Sequence, residues 1–263
     1  MYAIEYQRAK SVADAAAALA RTGGKALAGG QSLVGAMKLR LANPGTVVDL
    51  SGIAELKGIK KEGDAIAIGA LTTHAEVASS AVVKQAIPAL AALAEGIGDR
   101  QVRNRGTIGG SLANNDPAAD YPAAVLGLNA TVQTNKRKIA ADDFFKGMYE
   151  TALAADEIIT AISFPVPKKA AYIKFPNPAS RFALVGVFVA QTGAGVRVAV
   201  TGAGAHVHRA TAIEAALAKS FTADAAKAVK ISAASLNNDL HGSAEYRAHL
   251  VSVLAGRAVA AAG

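Results

Sequence analysis

Along the first 24 residues, apolar positions recur with a helical period. Val12, Ala15, Ala16 and Leu19 share one face, behind a Ser11-x-x-Asp14 pair that can satisfy the free amides of a helix start and ahead of Gly23–Gly24, which can end it. Lys25–Ala28 then reads as a short strand running into a Gly29–Gly30 turn, and Ser32 as the cap of a short helix reaching Leu41. Thr46–Leu50 has the composition of a buried strand. Gly58–Lys60 and Ala65–Ile68 alternate around the polar Lys61–Asp64 and predict a hairpin. Thr73 is placed to cap a helix over His74–Ser80, and Val83–Glu95 predicts a longer helix kinked at Pro88. Gly96–Pro117 is rich in Gly, Asn, Arg and Thr, has no helical period, and reads as a long ordered loop, a class of segment that often carries function. Asp120 stands as a cap ahead of Pro122, opening a helix to Leu128. Ala130–Thr134 and Arg137–Ala140 predict a second hairpin, and Glu157–Phe164 a further strand.

Pro165, Pro167, Lys168 and Lys169 mark a boundary, and the pattern changes beyond it. Strands are expected at Tyr172–Phe175, Ala183–Gln191 and Val196–Gly202, followed by helices at Ala210–Lys219, Ala223–Ser235 and Ser243–Ala261. The expected architecture is α+β: one domain over 1–166, with lobes near 1–56 and 57–166, and a smaller α+β domain over 167–263.

Composition narrows the possibilities. With 52% hydrophobic and 18% charged residues, a chain of 263 residues can bury a full core, which excludes general disorder. No run of about 18 strongly apolar residues occurs, so no transmembrane helix is expected. MYAIEYQRAK lacks an apolar stretch after its charges, so no signal peptide is expected and the cytoplasm is the default compartment. The absence of Cys excludes a disulfide, a cysteine-ligated iron–sulfur cluster or a thiolate zinc site within the chain. The net charge of +8 raises nucleic acid as a partner, but there is no Trp, no basic helix and no zinc spacing. Its basic residues are scattered apart from Arg100–Arg105 and Lys136–Lys138 and read mainly as a solvated cationic surface, so no nucleic-acid partner is expected.

Two glycine-rich segments carry the candidate chemistry: Ala28-Gly29-Gly30-Gln31-Ser32, between a strand and a helix, and Arg105-Gly106-Thr107-Ile108-Gly109-Gly110-Ser111. Paired glycines let backbone approach a ligand closely, and successive N–H groups can form an anion nest that suits a pyrophosphate. Each segment alone reads as plain chain reversal, and neither matches the Rossmann or Walker pattern. Together, with Arg103 and Arg105 beside the second, they favour a phosphate ligand. No Ser/His/Asp nucleophile set is present, Asp142 and Asp143 read as a turn or cap, and His206 and His208 alternate without a third metal ligand nearby, so no metal site is expected.

The stretches AGGQSLVGAMKLRLANPGTVVDL (28–50) and GDRQVRNRGTIGGSLANNDPAADYPAAVLGLNA (98–130) strongly resemble the FAD-binding medium subunit of the xanthine dehydrogenase family, in its carbon monoxide dehydrogenase type. The resemblance continues through IGALTTHAEV, DEIITAISFP, YIKFPNPASRFALVGV and HGSAEYRAHL, covering nearly the whole chain. It implies a two-lobed flavin domain of the vanillyl-alcohol-oxidase (PCMH) type followed by the C-terminal domain of such subunits. Carried over by position, the FAD pyrophosphate is held by Ala28, Gly29, Gly30, Gln31, Ser32 and Leu33 of the first loop. The second loop contributes Thr107, Ile108, Gly109, Gly110 and Ser111. Asp120 matches a carboxylate that binds FAD through ribose hydroxyls, a task suited to a group able to accept two hydrogen bonds; from the residues alone it serves equally as a helix cap. Ile97 falls against the flavin ring, Ile159 matches a backbone contact, and Lys174 matches a lysine at the pyrimidine end, where it would stabilise charge on reduced flavin. By composition alone Lys174 reads as a surface strand residue. Gln31 and Asn114 stand where many relatives carry His, and both belong to the implied site.

The resemblance implies no catalytic side chain, the flavin being the redox centre. It implies a large molybdopterin subunit and a small subunit with two [2Fe–2S] clusters as partners, in a dimer of heterotrimers. The alternative is a stand-alone FAD-dependent oxidoreductase of the same fold. Against it stand the absence of an acid/base set and of a further substrate domain. Without Cys, and without His in the glycine loops, a covalent flavin link is not expected.

Overall fold

The computed structural model describes residues 1–263. In the first lobe, β1 (Glu5–Arg8), α1 (Val12–Thr22), β2 (Lys25–Leu27), α2 (Leu33–Lys38) and β3 (Thr46–Asp49) form a parallel sheet of order β1-β3-β2 with its helices in the connections. The expected caps of α1 are present: Ser11 Oγ accepts from Asp14 N–H at 3.1 Å, and Gly23 ends the helix in the left-handed region. Strand β1 carries no sequence signal because three of its four residues are exposed, so no alternation develops.

The second lobe is built on an antiparallel sheet of order β4-β5-β10-β6-β7, from β4 (Ile59–Glu62), β5 (Ala65–Gly69), β6 (Thr131–Thr134), β7 (Lys138–Ala140) and β10 (Ile159–Pro165). Between β5 and β6 lie α3 (His74–Ser79), α4 (Ala81–Ala86), α5 (Pro88–Glu95), α6 (Arg100–Arg105), α7 (Ile108–Asn114) and α8 (Tyr121–Gly127). A full capping box joins Thr73 and Glu76 at the start of α3. At Pro88 the chain breaks rather than kinks: Ile87 leaves helical geometry (φ −140°, ψ 70°) and Pro88 opens a new helix at its first turn.

Gly96–Pro117 is not a loop. It holds α6, whose Asp99 cap accepts from Val102 N–H at 2.8 Å, and α7, capped by Thr107. Helices of six and seven residues are too short to show a period in a sequence window. After β7 come α9 (Ala141–Phe144) and the small hairpin of β8 (Phe145–Gly147) and β9 (Glu150–Thr151).

The third sheet, of order β11-β12-β13-β14, contains β11 (Lys169–Pro176), β12 (Ala183–Thr192), β13 (Gly195–Thr201) and β14 (His208–Arg209), and α10 (Thr211–Lys219), α11 (Ala223–Lys227) and α12 (Ala244–Ala262) follow it. The helix expected over Ala223–Ser235 stops at Lys227, and the carbonyl of Val229 is taken by Ser252 Oγ of α12 at 2.7 Å. Nine of the ten residues of β12 are buried, because α8 covers one face and α12 the other. Phe188, Ala190, Ala199 and Val207 of this region join the core of the second lobe. Asp142, in the first turn of α9, pairs with Arg197 Nη2 at 2.5 Å and lies 3.7 Å from Arg209 Nη1, fastening the third sheet to the second lobe. No helix is long and apolar enough to cross a membrane.

Candidate functional site

The β2–α2 connection, the start of α7, the α5–α6 turn and the end of β11 meet at one cleft of about 780 Å³. That volume lies within the range of roughly 300–1,000 Å³ typical of cofactor sites. Of the implied site residues, all but one line it. Ile108 is the exception: its side chain is fully buried in the core of the second lobe, and its N–H donates to Thr72 O at 3.1 Å. As the first residue of α7, it turns an apolar side chain inward while its glycine neighbours face the cleft.

The two glycine loops contribute differently. None of the N–H groups of Ala28, Gly29, Gly30, Gln31, Ser32 and Leu33 donates to another group of the chain. Ser32 has no side-chain cap bond, so these amides remain available to a ligand. In the second loop most amides are committed: Ile108 donates to Thr72 O, Gly109 to Ala70 O at 2.9 Å, Gly110 to Thr107 Oγ1 at 3.2 Å and Ser111 to Thr107 O. The expected nest of successive N–H groups therefore exists in the first loop and not in the second, where carbonyls of residues 70–72 and the Thr107 hydroxyl take the donors.

The second loop instead packs tightly at its two glycines, between the side chains of Thr107 and Ser111. A Cβ on Gly110 would lie 2.9 Å from Thr107 Oγ1, and one on Gly109 would meet the Ala70 backbone. Gly30 adopts φ +77°, and a Cβ on Gly29 would collide with the carbonyl of Arg105, so the two loops touch backbone to backbone.

At the other end of the cleft, Asp120 does not cap α8. Its carboxylate is 5% exposed and accepts from Tyr172 Oη at 2.5 Å and from Lys174 Nζ at 3.0 Å. Burial pushes the Asp120 carboxyl up from the ordinary range, and Lys174 and Tyr172 pull it back down. Lys174 is not a surface residue: its side chain is 12% exposed and also donates to Gly96 O at 3.3 Å. Arg103 donates to Ile97 O at 2.9 Å and Gly98 O at 3.0 Å, holding the turn that brings Ile97 to the cleft. Ile159 opens β10, and Asn114 closes α7.

Three cleft-lining features carry no local signal: His74, Asp116 and the segment 178–182, with the half-exposed Phe182. Residues 70–74 support the second loop through the backbone, Ala70 and Thr72 by their carbonyls and His74 by its N–H to Gly106 O, which no side-chain motif records. The segment 178–182 is a polar, Pro-containing connection between two strands, legible only as a loop next to Lys174.

His74 is buried with its Nδ1 unpartnered, its ring tilted against Tyr121 at 5.3 Å. Desolvation, aided by Arg103, lowers its pKa from 6.5 to about 4. The folded state thus keeps His74 neutral where the unfolded chain protonates it, so stability is fully present above 6.5 and falls as pH drops toward 4. The expected loss across the whole window is about 3 kcal/mol. Urea unfolding above and below this window should show the loss in the native chain and its absence in His74→Phe; equal losses would remove His74 as the cause.

Residues 2–167 match the family described as the FAD binding domain in molybdopterin dehydrogenase, and residues 170–262 the one described as the CO dehydrogenase flavoprotein C-terminal domain. The nicotine 6-hydroxylase medium subunit of Paenarthrobacter nicotinovorans is 38% identical over 276 residues, covering 99% of this chain and 98% of the relative. The carbon monoxide dehydrogenase medium chain of Hydrogenophaga pseudoflava is 36% identical over 276 residues, covering 98% and 96%. A solved structure of carbon monoxide dehydrogenase from Hydrogenophaga pseudoflava, lacking the Mo-pyranopterin moiety of the molybdenum cofactor, matches with a TM-score of 0.91 at 37% identity, over 99% of this chain and 97% of that one. The fold and these matches agree along the whole sequence: the chain belongs to the FAD-binding family of the molybdopterin dehydrogenases, as a medium-type flavoprotein subunit of the molybdenum hydroxylases.

Proposed function

We propose that this chain holds one FAD noncovalently in the cleft and works as the electron-transfer subunit of a cytoplasmic molybdenum hydroxylase. It stands between the [2Fe–2S] clusters of a small partner subunit and an external acceptor, with a large molybdopterin subunit completing each half of a dimer of heterotrimers. The observation that carries the assignment is the run of six uncommitted N–H groups at 28–33, lining the cleft with the second glycine loop. Such a run suits a pyrophosphate, because backbone dipoles neutralise the charge without a side-chain cation. Gly109 lets the start of α7 pack directly on the Ala70 backbone, and Thr107 shapes that wall of the cleft as the cap of α7.

Asp120 and Lys174 address neighbouring parts of one ligand, their charged atoms being 3.0 Å apart. In a flavin the ribityl hydroxyls adjoin the N1/C2=O edge. With Lys174 placing positive charge at that edge, Asp120 is assigned to the ribityl hydroxyls, in place of the ribose hydroxyls that the resemblance implies. Residues 1–166 form the flavin-holding domain, in lobes 1–56 and 57–166, and the domain 167–263 contributes Lys174. FAD held here would supply a centre able to take one or two electrons at a time. A chain with no Cys cannot ligate the clusters itself, which supports their residence on a partner.

Reconstitution tests the proposal. Stopped-flow spectra should show the flavin bleached by organic substrate only when the cluster and molybdenum subunits are present. Bleaching with this chain alone would defeat the subunit assignment and favour a stand-alone flavoenzyme. Acid precipitation should release the yellow colour as FAD; colour retained in the pellet would defeat noncovalent binding.

A further inference from the structure

The charged end of the cleft rests on a side chain that does not line it. Tyr172 precedes Lys174 by two residues on β11, so both project from the same face of the strand. The Tyr172 ring stacks on Phe188 at 6.2 Å, and its hydroxyl donates to Asp120 Oδ1 while Lys174 takes Oδ2. Gly186, opposite Lys174 in the β11–β12 register, leaves the space: a Cβ there would strike the Tyr172 hydroxyl and lie 2.9 Å from its Cζ. Each oxygen of a buried carboxylate thus has its own donor, and the carboxylate cannot rotate without breaking one of them.

We infer that Tyr172 is a positioning residue of the flavin site: it fixes Asp120 so that Oδ2 stays on Lys174, and so sets how much of the lysine's positive charge reaches the ligand. This role rests on the assignment of FAD to the cleft. Loss of the phenol donor frees the carboxylate to turn and leaves Lys174 less neutralised.

A double-mutant cycle on FAD affinity, read from quenching of flavin fluorescence, tests it with the wild type, Tyr172→Phe, Asp120→Asn and the double variant. Tyr172→Phe is expected to weaken FAD about tenfold in the wild-type background and less than about twofold in the Asp120→Asn background. Equal penalties in both backgrounds, or wild-type affinity in Tyr172→Phe, would overturn the role. If Asp120→Asn retains no flavin, the midpoint potential of flavin bound to Tyr172→Phe decides: a rise is expected, and an unchanged value overturns the role. Failure of the wild type to bind FAD overturns the flavin assignment itself and is visible in the first titration.

Discussion

Gly29→Ala is expected to raise the FAD dissociation constant about 100-fold or more, leaving the purified protein colourless. The new Cβ would collide with the carbonyl of Arg105, come within 2.7 Å of its carbon and within 2.8 Å of Gly106 Cα. All three are backbone atoms, so no side chain can swing aside and the first loop must move off the second. A displacement near 1 Å is enough to cost about two orders of magnitude in a preorganised site. The six free amides at 28–33 move with the loop. Gly35→Ala is the control: it lies within α2, where a Cβ meets nothing, and flavin content should be unchanged. Flavin-to-protein ratio after gel filtration reads both, and stoichiometric FAD in Gly29→Ala would remove the loop contact from the site.

Arg247→Met is expected to destabilise the chain by about 3 kcal/mol, a large part of the stability of roughly 5–15 kcal/mol usual for a folded domain. Arg247 lies on α12, is 3% exposed, and donates through Nη1 to Leu184 O at 2.8 Å and Gly202 O at 3.0 Å. Through Nη2 it grips both oxygens of Asp239 at 2.8 Å. Met preserves much of the stem volume but leaves two carbonyls without this donor and Asp239 without its partner. The helix then loses its tie to the ends of β12 and β13 and to the connection before α12. Urea denaturation should show a lower midpoint with an unchanged slope. A loss under about 1 kcal/mol would mean that water replaces the guanidinium at no appreciable cost.

Both expectations concern backbone carbonyls met by a distant group, and that is where reading along the chain runs out. Local features were legible: Ser11 and Gly23 bounding α1, the Thr73–Glu76 box, the two hairpins of the second sheet, and the glycine loops themselves. Capping, turn chemistry and alternation act over a few residues, so the order of residues alone carries them. The resemblance to a known family supplied candidate positions at Ile97, Asn114, Ile159 and Lys174 that no local pattern marks. The short helices α6 and α7 went unseen because their length gives no period, and β1 because it is exposed.

The amino-acid order by itself determined an α+β chain with two backbone-rich loops suited to an anion and no means of ligating a cluster. Only the tertiary structure decided which loop keeps its amides free, because the acceptors that take Ile108 and Gly109 are the carbonyls of Thr72 and Ala70, far from the loop in sequence. It also decided that Asp120 abandons the helix it precedes. Tyr172 and Lys174, 52 and 54 residues away, offer the buried carboxylate a hydroxyl donor and an ammonium counter-charge, and together those outweigh a terminal amide.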